Sequence, residues 1–178
     1  MSMYENKFAE LILFTNSLIL SIFGCIMQNL NKIITFFFRF VLYVNGEKVV
    51  TDITVNDGYW HFLCVDWRSE EGTWSAYVDG LLRDNGTLLA KDSIVIGNGT
   101  IVIGQEQDRL GGGFSASEAF LGKLSYLDVW DRVLEKEAIE DMSKSCVKYH
   151  GSIFAWAQTR EHIRGNVGAS LSFNVSII

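Results

Sequence analysis

The acidic triplet Glu106-Gln107-Asp108 contains the side chains of this chain that are best suited to binding a metal ion. It follows an apolar run at 101–105 and precedes a glycine cluster at 111–113. Calcium takes about six to eight oxygen ligands from carboxylates, amides and backbone carbonyls, and the triplet offers all three kinds. Glycines let a loop fold around an ion because they adopt positive φ angles at little cost. The pattern predicts a calcium loop, although an acidic surface loop after a strand would contain the same residue types.

The composition is that of one folded domain with an acidic surface. The chain has 178 residues, enough for a single domain with a substantial core. Its net charge of −6 argues against nucleic acid or an anionic membrane surface as a partner, because both require a basic footprint. Apolar residues make up 48% and aromatic residues 13% of the chain, which excludes disorder and indicates an aromatic-rich sandwich core.

The first 40 residues differ in pattern from the rest of the chain. Residues 11–27 are apolar and uncharged, about as long as a signal peptide or a short membrane segment. They lack the basic start and the small-residue cleavage site of a good secretory signal. Three interpretations stay open: a signal or membrane anchor, two buried core elements, or a sequence foreign to the domain. We expect membrane contact only for an anchor, and we assign residues 1–40 separately from a partial domain at 41–172.

From about Phe40 onward, short β-prone segments alternate with turn dipeptides, as expected of an antiparallel sandwich. Asn45-Gly46 between two such segments predicts a type I′ hairpin. Residues 120–130 have apolar side chains at both odd and even positions, which predicts a strand covered on both faces. Residues 135–144 are the one predicted helix, with a narrow apolar stripe. A further predicted strand places three apolar side chains on one face: Trp74, Ala76 and Val78.

The cysteines and the glycosylation sequons bear on cellular location. The three cysteines have no C-x-x-C spacing, so a zinc or redox motif is unsupported. Three sequons would accept N-linked glycans if the chain entered the secretory pathway, and they support an extracellular location only weakly because such triplets are common. The cysteines are Cys25, Cys64 and Cys146, and the sequons begin at Asn85, Asn98 and Asn174.

Four motifs in order resemble the pentraxin domain, a calcium-dependent member of the laminin-G-like and concanavalin-like sandwich class. The resemblance runs from about Val41 to Cys146, and its order and spacing are more specific than any single motif. It implies an all-β fold: an antiparallel jelly-roll sandwich with one short helix near the C-terminus. The family's usual N-terminal strands are not recognisable in the sequence. The matching segments are residues 60–67, 72–80, 103–114 and 120–130.

The resemblance implies a site for two calcium ions. Glu106 and Asp108 would bridge the two ions, and Gln107 would contribute its backbone carbonyl to the first. Two divalent ions a few Å apart repel each other, so anionic ligands must lie between them. The remaining ligands of the family's second ion fall on Ser115 and Glu118. Glu118 keeps an oxygen ligand but Ser115 loses a carboxylate, so we expect a weakened second site.

Other positions depart from the family pattern. The upstream Asp-Asn pair that completes the family's first calcium site is missing, and Asn29 is a weak candidate in its place. Cys64 matches the family's second disulfide cysteine, but Cys25 lies in a sequence unlike the region of the first, so their pairing stays open. Family members that bind phosphocholine meet the choline cation with an acidic residue. Lys48 aligns there, so ligand identity is not carried over.

The resemblance implies a secreted, extracellular, lectin-like domain of innate immunity that uses calcium to bind an anionic or phosphorylated small molecule, glycan or protein. Homo-oligomeric rings are common in the family and are an expectation here. The alternative is a laminin-G-like adhesion or spacer module of a larger extracellular protein, with a degenerate calcium site. Catalysis is not expected. Related glycoside hydrolases place three acids at alternating positions, and the third position falls on Leu110.

Overall fold

The computed structural model describes residues 9–11, 19–27, 39–55, 57–95, 101–104, 108–109, 112–115, 123–145 and 149–157. Within these residues, no helix is long and apolar enough to cross a membrane. The same residues form eight strands and one helix. They are β1 (Ala9–Leu11), β2 (Ile19–Met27), β3 (Phe40–Val44), β4 (Glu47–Val50), β5 (Trp60–Arg68), β6 (Thr73–Val78), β7 (Leu81–Gly86), β8 (Lys123–Trp130) and α1 (Lys136–Lys144).

The strands form two sheets. The smaller sheet has three strands in the order β1-β3-β4, and the larger has five in the order β7-β6-β5-β2-β8. All neighbouring strands run antiparallel except β1 and β3. This arrangement, with its single described helix close to the C-terminal end, confirms the predicted all-β class.

The N-terminal segment contributes β1 and β2. β2 lies between β5 and β8 and pairs with both, so residues 19–27 are central to the larger sheet. Its backbone groups bond on both sides, as in an interior strand. The domain boundary near residue 41 stays a prediction.

The hairpin between β3 and β4 has the predicted turn. Asn45 and Gly46 have φ angles of 48° and 82°, and Val44 pairs directly with Glu47. Positive φ at both loop residues is the mark of a type I′ turn, whose twist matches that of the flanking strands. The sequence prediction for this hairpin is confirmed.

β5 is buried on both faces, and its alternating residues enter two separate cores. Leu63, Val65 and Trp67 belong to the inter-sheet core, which also contains Trp74, Ala76 and Val78 of β6. Phe62 and Cys64 belong to the helix-side core. That second core is completed by residues of β8, α1 and the segment between them: Trp130, Leu134, Ile139 and Met142. Leu127 and Val129 lie in the inter-sheet core, which confirms that β8 is covered on both faces.

α1 covers the outer face of the larger sheet. Ile139 and Met142 are fully buried, and Ala138 packs beside them, as the predicted stripe requires. Glu137 lies in the first turn and Lys144 in the last, where their charges oppose the partial charges of the helix ends. The predicted helix is therefore confirmed.

We expect Ile139→Ala to lower the free energy of unfolding by about 2–5 kcal/mol, because it removes a fully buried side chain and leaves a cavity under α1. Chemical denaturation of both proteins measures the change. Glu137→Ala, at an exposed position of the same helix, is the control and should lower stability by no more than about 1 kcal/mol, since it removes only the favourable charge in the first turn. Equal, small losses in both variants would contradict the assignment of Ile139 to the core.

Candidate functional site

The predicted calcium loop is described in part. Among the predicted ligands, Asp108 and Ser115 lie within the described residues. Asp108 is exposed and Ser115 is partly buried. The remaining candidates fall outside the described residues: Asn29, Glu106, Gln107 and Glu118. The structure therefore gives the geometry of one side of the loop.

A tight hairpin follows Asp108. The Arg109 N–H donates to the Gly112 carbonyl at 3.2 Å, and the Gly112 N–H donates to the Arg109 carbonyl at 2.8 Å. Gly113 has a φ angle of 83°, and a Cβ at this position would lie 2.6 Å from Cβ of Asp108. Glycine at 113 is required both by its φ angle and by the close approach of Asp108.

The chemistry of this hairpin suits a hard cation. An exposed carboxylate beside a glycine-rich turn leaves its oxygens open to an ion, and the half-buried Ser115 adds a hydroxyl oxygen nearby in sequence. Within the described residues there is no group of three or more His, Cys, Asp or Glu side chains that could hold a metal. Glu106 and Gln107, which the sequence prediction sets beside Asp108, lie outside the described residues, so the calcium site stays a prediction.

A second polar cluster surrounds His61 at the start of β5. Its Nδ1 lies 2.9 Å from Oδ2 of Asp79, and its Nε2 lies 3.0 Å from Oδ2 of Asp57. The same carboxylates bind the backbone: Asp79 accepts the Phe62 N–H at 3.0 Å, and Asp57 accepts the Tyr59 N–H at 2.9 Å. His61 thus joins the turn before β5 to the turn after β6.

The geometry of this cluster favours a charged imidazole. Ionised carboxylates only accept hydrogen bonds, so both ring nitrogens of His61 must donate, and only imidazolium has two N–H groups. Partial burial disfavours the charge, but the hydrogen bonds to Asp79 and Asp57 outweigh it and raise the pKa of His61. The backbone N–H of Tyr59, followed by His61, holds the pKa of Asp57 below its usual value.

From the sequence, a histidine beside Trp60 in a predicted strand is more simply a packed sandwich residue than a catalytic base, but the structure gives His61 an ionic role at the edge of the core. Both of its ring nitrogens are taken by carboxylates, so neither is available to act as a general base. Periodicity could not reveal this role. The useful signal was the pair of Asp-Gly turns, at Asp57 and Asp79, on either side of β5 and β6.

Two buried carboxyl groups lie in the larger sheet. Burial raises the pKa of Asp128, although its carboxylate accepts the Gly151 N–H at 3.0 Å and so ties the segment at 149–157 to β8. Burial likewise raises the pKa of Asp66, against the effect of hydrogen bonds from Ser75 and Tyr77. Sequence reasoning missed the role of Asp128, whose only signal was an acid within an apolar strand.

Cys64 is buried within the helix-side core and is a free thiol in the structure. Burial, and then the nearby Asp66, raise the pKa of this thiol far above its usual value, so the reactive thiolate is disfavoured. On the neighbouring strand, Cys25 pairs with Phe62 and Phe23 pairs with Cys64. A disulfide at Cys64 stays a prediction.

The three tryptophans named below lie in the core, whereas Lys48 lies on the surface. From the sequence, the tryptophans of a sandwich are core residues by default, and Trp67, Trp74 and Trp130 are buried as this predicts. Lys48, at the position aligned with the family's choline contact, is exposed on β4, and its Nζ lies 5.6 Å from the centre of the Tyr43 ring. A cation placed over an aromatic face is mildly stabilising, so this lysine has a local packing role.

We expect the His61 cluster to stabilise the fold in acid and neutral solution and to lose this effect as the pH rises. The folded pKa of His61 lies above its ordinary value of 6.5, so the stabilisation is complete below that value and disappears as pH rises through the folded pKa. Denaturation midpoints of the parent and His61→Gln, measured from about pH 5 to about pH 9, should converge at the alkaline end. A constant difference between the two across this range would contradict the ionic role.

Comparison with known proteins identifies the family to which this fold belongs. The family model described as "Pentaxin family" matches residues 13–170. The rat protein named "Sushi, von Willebrand factor type A, EGF and pentraxin domain-containing protein 1" is 41% identical over 130 residues, covering 71% of this chain and 4% of that protein. Human neuronal pentraxin-1 is 37% identical over 123 residues, covering 68% of this chain and 28% of that protein. The chain thus spans a small part of the relatives it matches.

A solved structure shares the fold. It is the native heptameric SAP-like pentraxin from Limulus polyphemus, with a TM-score of 0.68 and 23% sequence identity. The match covers 79% of this chain and 76% of the Limulus chain. At that identity the likeness establishes the architecture, and it confirms the predicted pentraxin-like jelly roll.

Proposed function

Because this chain belongs to the Pentaxin family, we propose that it is an extracellular domain that binds calcium and, through calcium, an anionic or phosphorylated ligand. The observation that carries the proposal is the hairpin at 108–113, where Gly113 allows the exposed Asp108 to lie close to the returning segment of the chain. The hairpin begins at Asp108, which is the last residue of the acidic triplet. No catalytic activity is proposed, since both nitrogens of His61 are occupied by carboxylates.

In this proposal Asp108 holds calcium together with Glu106 and the backbone carbonyl of Gln107. Calcium supplies positive charge and open coordination positions that oxygen atoms of a ligand can occupy. That charge is needed because the chain carries a net charge of −6 and would otherwise repel an anion. Ser115 and Glu118 would serve a second ion, which is weaker because Ser115 replaces a carboxylate.

The same reasoning extends to location and assembly. Relatives that contain pentraxin domains support secretion, and the sequons at Asn85, Asn98 and Asn174 fit it. The heptameric Limulus protein supports homo-oligomers. The proposed partners are an anionic small molecule, glycan or protein; the acidic net charge makes nucleic acid a poor partner.

A spacer or adhesion module in a larger protein is the second candidate. It is favoured by the match to 4% of a rat protein whose name includes several other domain types. The missing upstream Asp-Asn pair favours it too, because a spacer can lose calcium ligands without loss of function. The two candidates differ in whether the folded chain binds calcium at the hairpin.

We expect calcium to bind the folded full-length chain saturably in isothermal titration calorimetry, and Glu106→Ala/Asp108→Ala to abolish the binding, because the bridging carboxylates are lost. The matched control is Glu70→Ala/Glu71→Ala, which removes the same charge from the exposed turn between β5 and β6 and should bind like the parent. Absence of calcium binding by folded parent protein would reject the calcium site and favour the spacer module.

Gly113→Ala should weaken calcium binding by at least about tenfold, or about 1.4 kcal/mol, because the new methyl group displaces Asp108. Gly46→Ala is the matched control: its φ angle of 82° imposes the same backbone cost, but a Cβ there has nothing within 4 Å. Calorimetry on both folded variants should therefore separate them. Equal calcium affinity in both would show that the approach of Asp108 and Gly113 does not shape the site.

A further inference from the structure

β7 is an edge strand of the larger sheet. It pairs with β6 on one side, and no strand within the described residues pairs with its other side. The exposed backbone groups of an edge strand can pair with another chain and so promote self-association. Leu81 and Leu82 at the start of β7 are also exposed, by 55% and 49%, and exposed apolar side chains favour association of this edge with another chain.

Two local features already interrupt this edge. Ala76 pairs with Asp84 and Tyr77 with Leu82, so Arg83 is the extra residue of a β-bulge. The Asp84 carboxylate then accepts the Asn85 N–H at 2.9 Å and occupies a donor that another strand could otherwise bind. These features disrupt pairing at Arg83 and at the Asn85 N–H, but the Asn85 side chain, at the C-terminal end of β7, stays exposed.

The sequon Asn85-Gly86-Thr87 lies at that end. Asn85 lies on β7 and Thr87 in the bend just after it, and both are exposed, so the two residues that define the sequon are accessible from solvent. Gly86 lies between them against Trp74, where a Cβ would come within 2.7 Å of Nε1 of the indole. Asn85 pairs with Ser75, which alternates with the core residues Trp74 and Ala76, so a group attached to Asn85 would project away from the inter-sheet core.

We propose that Asn85 carries an N-linked glycan that covers the free edge of β7 and keeps copies of this chain from pairing there. A host oligosaccharide transferase joins the side-chain amide nitrogen of Asn85 to the anomeric carbon of a lipid-diphosphate-linked oligosaccharide. The amide loses one proton, the sugar–phosphate bond breaks, and the lipid diphosphate leaves. A bulky hydrophilic glycan at an exposed strand end excludes an incoming strand. This inference rests on the extracellular location in the proposed function.

The test uses the full chain expressed in mammalian cells behind a cleavable secretion signal. Thr87→Ala destroys the sequon while keeping Asn85, and Thr87→Ser preserves it. Enzymatic deglycosylation in ¹⁸O-water, followed by peptide mass spectrometry of medium and cell extract, reports the occupancy of Asn85. We expect a glycan in the parent and Thr87→Ser and none in Thr87→Ala. Sedimentation velocity should then show larger species for Thr87→Ala than for Thr87→Ser.

The outcomes separate the two proposals. An unmodified Asn85 in chains delivered by the added signal would overturn the glycan. Equal sedimentation of Thr87→Ala and Thr87→Ser would overturn the role of the glycan at the edge. A chain that is modified at Asn85 but, when folded, does not bind calcium would count against the proposed function and leave the Asn85 glycan supported.

Discussion

Burial of β5 on both faces is the constraint on which the rest of the structure depends. Alternate residues of this strand enter different cores: Leu63, Val65 and Trp67 enter the inter-sheet core, and Phe62 and Cys64 enter the core under α1. A shift of one residue would exchange the two sets, so the register of β5 is strongly specified. That register positions β6 and β2 beside it, and through them the β7 edge and β8.

Local patterns in the sequence predicted much of this fold. The Asn45-Gly46 turn, the alternation in β6 and the stripe of α1 each depend on residues close in sequence, and all three are confirmed. The role of His61 depends on Asp79, which is 18 residues away, and that of Asp128 on Gly151, which is 23 residues away. Neither pair leaves a periodic signal, so the sequence could not reveal them.

In the candidate site too, the features that are local in sequence could be predicted and those that join distant residues could not. The acidic triplet and the glycine cluster are contiguous, so their chemistry could be recognised before the fold was known. The structure adds the reason for Gly113, which is the close approach of Asp108 across the hairpin. An upstream ligand would come from a distant part of the chain, and sequence reasoning found only Asn29 as a weak candidate. The scaffold is thus better specified by the sequence than the full set of calcium ligands.

The central claim is that the hairpin beginning at Asp108 holds calcium. Anomalous difference density from crystals grown with calcium tests it most directly, because the ion scatters anomalously at long wavelength and oxygen does not. The account predicts a peak about 2.3–2.6 Å from a carboxylate oxygen of Asp108. A well-ordered loop with no anomalous peak near Asp108, in crystals saturated with calcium, would contradict it.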